Sequence, residues 1–148
     1  MNKQFIKTYE HAYNFLIECD YTIWEENDRK TCGKNYPSYL GYYKYIIISD
    51  DNICCLRTNN KRDVINYANN YIDVLIDERA FETSFYDAVE ILETIEYKVD
   101  TKLDDDDKVF YDVVDKEGYF IRFYNEFKLI KFAIEKVFKK YFLKKYED

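Results

Sequence analysis

Apolar residues recur along this chain at two spacings, and the switches between them divide it into elements. Phe5, Tyr9, Ala12, Leu16 and Cys19 fall at helical intervals and predict an amphipathic helix over residues 3–19. Residues 25–38 are polar, contain Gly33, Pro37, Lys30 and Lys34, and predict a long loop. Residues 42–49 and 53–57 are rich in β-branched and aromatic side chains around Asp50-Asp51-Asn52, which predicts a β-hairpin. Asn59 or Asn60 can cap a helix bearing Val64, Ile65, Ala68, Tyr71, Ile72 and Leu75. Thr83 or Ser84 can cap another with Phe85, Ala88, Val89 and Leu92, and Asp87 gives Ser84 a capping-box partner.

Strict alternation follows. Ile95, Tyr97, Val99, Thr101 and Leu103 interleave with Glu96, Lys98, Asp100 and Lys102, as on a strand with one buried and one solvated face. After Asp104, Asp105, Asp106 and Asp107, residues 109–114 and 119–124 read as further strands, joined at Gly118, the natural site for a positive φ. Asn125 caps a terminal helix whose main stripe is Phe127, Ile130, Ile134, Val137, Phe138, Tyr141 and Phe142. The expectation is one α+β domain over residues 1–148, with a hairpin and a three-strand meander packed on about four helices. The only repetition visible is a loose recurrence of hairpin followed by helix.

Composition narrows the chemistry. With Gly33, Gly41 and Gly118 far apart, no phosphate-cradling loop can form, and His11 alone cannot make a two-histidine zinc helix. His11 beside an apolar stripe reads as a partly buried, hydrogen-bonded side chain. Cys19, Cys32, Cys54 and Cys55 match no zinc spacing, and without a recognisable signal peptide they read as reduced thiols of a cytoplasmic protein. No apolar run approaches the ~20 residues of a membrane span. No metal and no cofactor is expected. The abundance of Ile, Asn, Lys and Tyr suits an AT-rich genome, such as that of a virus, a phage or a low-GC bacterium.

Charge then sets the choice of partner. The formal net charge of -7 disfavours direct nucleic-acid binding, unless a local basic face overrides it, and favours a basic protein. The acids concentrate at Asp100, Asp104, Asp105, Asp106, Asp107 and Asp112, where a turn alone needs only one or two. Such a cluster reads either as a solvated loop or as a phosphate mimic. A second stripe on the terminal helix, Leu129, Phe132 and Leu143 among Lys136, Lys139 and Lys140, is expected to be covered by a neighbouring element or to offer a homodimer or partner surface. These residues point to a small acidic inhibitor, an immunity or anti-defence protein that blocks a nuclease, toxin or defence effector. A non-inhibitory scaffold is the first alternative. The second is a Mg²⁺-dependent nuclease built on Asp77, Glu96 and Lys98, because two carboxylates can hold Mg²⁺ while a lysine positions water.

Overall fold

The computed structural model describes residues 5–28, 42–142 and 144, and the fold they form is α+β. The chain parts into two compact units, divided between Ile72 and Asp73.

In the first unit, helix α1 (Tyr9–Glu18) starts where the Thr8 side chain accepts the His11 N–H, and it buries Ala12, Phe15 and Leu16. The predicted start at residue 3 is too early. Phe5 and Ile6 give their N–H groups to Asn69 Oδ1 at 2.8 and 2.9 Å, so these groups serve a clamp rather than a helix. The same amide returns a bond from Nδ2 to the Ile6 carbonyl at 2.9 Å, which satisfies this buried asparagine. Helix α1 ends with Asp20 in the left-handed region (φ 68°), and the Tyr21 N–H reaches back to the Leu16 carbonyl at 3.0 Å. Strands β1 (Thr22–Glu25), β2 (Tyr45–Ile48) and β3 (Cys54–Thr58) form an antiparallel sheet in that order. The expected hairpin is thus the greater part of a three-strand sheet, and β1 is too short to give a readable alternation. Helix α2 (Lys61–Glu82) follows, its first turns in this unit and the remainder, from Asp73, in the second. Asn60 is its cap, its side-chain oxygen accepting the Arg62 N–H at 2.9 Å.

The second unit repeats this plan. Helix α3 (Phe85–Thr94) is capped by Ser84, which accepts the Asp87 N–H, and buries Ala88 and Leu92. It ends with Glu96 left-handed (φ 72°) and the Tyr97 N–H on the Leu92 carbonyl at 2.9 Å. That bond sequence matches the end of α1, so 95–97, predicted as strand, belong to the helix cap. Strands β4 (Lys98–Leu103), β5 (Val109–Val114) and β6 (Phe120–Phe123) again run antiparallel in chain order. Helix α4 (Glu126–Val137) is capped by Asn125 and passes into π-helical turns over Phe138–Phe142.

The correspondence reaches individual contacts. Tyr9 meets Tyr45 with ring centroids 5.1 Å apart at 52°, and Phe85 meets Tyr111 at 4.9 Å and 48°. Tyr21 meets Tyr67 at 5.7 Å and 84°, and Tyr97 meets Phe132 at 5.9 Å and 84°. Each pair ties the sheet side of its unit to the helices. Val64 and Ala68 of α2 are fully buried, as are Leu129 and Ala133 at the same places in α4. Sheet registers agree too: Trp24, Ile46 and Arg57 lie in one row, and Asp100, Asp112 and Arg122 in its counterpart. The recurrence that the sequence shows only as hairpin and helix is therefore a repeated αβββα unit. Few side chains are identical between the copies, and the longer β1–β2 connection shifts the spacing.

Candidate functional site

The acidic run occupies the β4–β5 turn, whose geometry explains part of it. The Asp104 N–H bonds the Lys108 carbonyl at 2.9 Å, and Asp104 Oδ1 accepts the N–H groups of Asp106 and Lys108, each at 2.9 Å. Asp107 is left-handed (φ 61°), a conformation that Asp, Asn and Gly tolerate best. Ser49 to Ile53 and Asp115 to Tyr119 fold alike, with Asn52 (φ 62°) and Gly118 (φ 94°) in the left-handed place. Asp104 and Asp107 thus have turn roles. No hydrogen bond or ion pair among the described residues engages the carboxylates of Asp105 and Asp106, and both are exposed. Exposed Leu103 and Val109 face each other at the base of the turn.

Two further acids differ from expectation. Asp100 is half-buried, with Lys98 at 3.8 Å. Asp112 is buried at the sheet centre and is corrected from a displayed charge to an internal one. Arg122 holds it bidentately, Nε to Oδ1 at 2.8 Å and Nη2 to Oδ2 at 3.2 Å, with Lys102 at 3.6 Å. The Arg122 hydrogen bonds, against the opposing effect of burial, keep the Asp112 carboxyl below the ordinary range for aspartate. The sequence hides this cation because Arg122 pairs across the ladder rather than along the chain.

The second stripe of the terminal helix offers no free apolar face at its described positions. Leu129 is fully buried, and Phe132, 9% exposed, packs its ring on Tyr97 and Phe123 at 5.9 and 5.3 Å. The Lys136 ammonium lies 5.2 Å from the Phe132 ring, so its stem completes the cover. Lys139 is exposed, and Leu143 lies outside the described residues. A Phe132→Glu substitution therefore probes folding rather than self-association.

The three residues of the nuclease alternative have separate partners. Asp77 on α2 takes Lys131 at 2.9 Å, Glu96 at the α3 cap takes Lys116 at 3.4 Å, and Lys98 takes Asp100. The Asp77 hydrogen bond raises the Lys131 pKa above that of an ordinary lysine, while burial raises the pKa of neighbouring Asp73. Among the described residues no group of His, Cys, Asp and Glu side chains could hold a metal ion. His11 and Cys19 are half-buried, and Cys54 and Cys55 are exposed free thiols. Cys32, Gly33, Gly41, Pro37, Lys30 and Lys34 lie outside the described residues. An open groove of about 460 Å³ runs past Arg79, Glu82, Asp87 and Glu90, and its polar lining offers little to an apolar ligand. No described helix is long and apolar enough to cross a membrane.

The chain matches no known family model, no curated protein and no solved structure.

Proposed function

We propose that this chain is a small acidic binding protein that blocks a basic protein partner, of the kind represented by nucleases, toxins or defence effectors. The observation that carries the reading is the β4–β5 turn. It exposes Asp105, Asp106 and Asp107 beside the apolar pair Leu103 and Val109, and its own geometry uses only Asp104 and Asp107. Carboxylates at a protruding turn steer a cationic surface into encounter, and an adjacent apolar pair supplies contact area once the two surfaces meet. The formal charge of -7 acts in the same direction at longer range. Blocking is steric: occupying a basic groove excludes its anionic substrate.

The test spares the turn. Asp105→Asn with Asp106→Asn removes two charges and leaves both the Asp104 hydrogen bonds and the left-handed Asp107. Association with a partner recovered by affinity capture should slow about ten-fold at low salt and converge with wild type at high salt. The melting temperature should stay within about 2 °C, since both side chains are exposed and no hydrogen bond or ion pair among the described residues engages their carboxylates. Unchanged association across the salt series would remove the hairpin from the interface.

A further inference from the structure

The outer face of the second sheet presents a surface that the overall composition conceals. Tyr111 and Phe123 point to the helices, through their ring contacts with Phe85 and Phe132. Strand alternation then sends Lys98, Asp100, Lys102, Phe110, Asp112, Phe120 and Arg122 to the opposite face. Tyr124 follows them, with its ring 5.7 Å from that of Phe110. The cations stand outermost on this face: the side chains of Lys98, Lys102 and Arg122 are 79, 53 and 41% exposed, those of Asp100 and Asp112 only 35 and 6%. Solvent therefore meets chiefly ammonium and guanidinium groups, with the Asp112 carboxylate beneath them and Asp100 about as exposed as Arg122.

Aromatic rings interleave with those cations. The Arg122 guanidinium lies 4.1 Å from the Phe110 ring centroid and 5.6 Å from that of Phe120, and Asp112 fixes its orientation. Phe120 and Tyr124 are each 58% exposed, on either side of Arg122 along the chain. On the corresponding face of the first unit Ile46, Ile48 and Trp24 pack together, with Arg57 in the same row as Trp24 and Ile46. Ile46 stands where the second unit has Asp112, so the charged centre of this face is a feature of one copy and not a requirement of the fold.

We propose that this face binds single-stranded nucleic acid, with unpaired bases stacking on Phe120 and Tyr124 and phosphates beside Lys98, Lys102 and Arg122. Stacking suits any base, because every base has a π face, and outward cations supply the phosphate contacts. A duplex keeps its bases stacked on one another and cannot use the rings. The face includes the two strands that the acidic turn joins, but its rings and cations are other residues than Asp105 and Asp106, so the two readings fail separately.

The experiment is fluorescence anisotropy with the intact chain and a labelled single strand of about eight thymidines. A saturable rise at low salt that weakens as salt increases is expected. Phe120→Ala and Tyr124→Ala should each weaken binding about five-fold or more. Phe120→Trp should retain it, and Lys98→Glu should weaken it. Tyr86→Ala, which removes an exposed ring on α3, should change nothing. Asp105→Asn with Asp106→Asn should not weaken it either, whatever that pair does to a basic partner. Absence of saturable binding at low salt would overturn the proposal. So would equal binding of a duplex or of polyglutamate, the latter marking a site that reads charge alone and suits an acidic protein, or an equal loss in Tyr86→Ala.

Discussion

Replacing Arg122 by alanine lowers the melting temperature by about 10 °C or more, whereas Asp112→Ile leaves it unchanged or raises it. The asymmetry comes from what each change leaves behind. Without Arg122, the Asp112 carboxylate stays buried with only Lys102, at 3.6 Å, to balance it. A buried charge stripped of its main partner is among the most destabilising outcomes of a single substitution, whereas Asp112→Ile leaves behind only Arg122 and Lys102, whose side chains are 41 and 53% exposed and can be hydrated. The first unit already contains that apolar solution: Ile46 sits opposite Arg57 as Asp112 sits opposite Arg122. Acid closes the gap between wild type and Arg122→Ala. The folded-state pKa of Asp112 lies below its unfolded value, so the contribution of the pair is complete above about pH 4 and is lost as pH falls through the folded value. Thermal unfolding of the three proteins at neutral pH and in acid measures both effects. Equal melting temperatures for wild type and Arg122→Ala at neutral pH would contradict them.

Leu16→Ala and Leu92→Ala each cost about 3–5 kcal/mol in urea unfolding. Both leucines are fully buried, and each accepts the reach-back bond of its helix cap through its carbonyl. Truncation removes the apolar contacts and opens a cavity, but leaves the main-chain bond in place. Because the two side chains hold equivalent positions, the two costs should agree within about 1 kcal/mol; a large cost at one site beside a negligible one at the other would contradict the equivalence.

The parts of the fold that were legible in the sequence depend on local chemistry. Asn60, Ser84 and Asn125 cap helices because each can satisfy N–H groups within its own first turn, and Gly118 takes the left-handed place its turn requires. Strand β4 is legible because its six residues alternate in the sequence, but the buried face that this alternation predicts is not found: Val99 is half-buried, and Thr101 and Leu103 are exposed. Long-range effects stayed hidden. Nothing near Phe5 announces that Asn69 will claim its N–H, and β1 is only four residues long. Of the two outcomes expected for the second stripe of the terminal helix, cover by a neighbouring element is the one found at Leu129 and Phe132, and at Phe132 the cover comes from Tyr97 and Phe123. Asp112 reads as surface charge until β6 brings Arg122 beside it. The repeat shows in the sequence only as a loose recurrence of hairpin and helix because equivalent places hold different residues, Ile46 against Asp112 and Tyr67 against Phe132.

That one αβββα plan is used twice, with its outer faces put to different ends, is tested most directly by residue-resolved hydrogen exchange on the intact chain. The slowest amides are predicted at paired positions, Ile47 with Val113 in the central strands and Ala68 with Ala133 in the following helices. Strong protection at one member of these pairs, with its counterpart exchanging as an unstructured amide, would contradict the account.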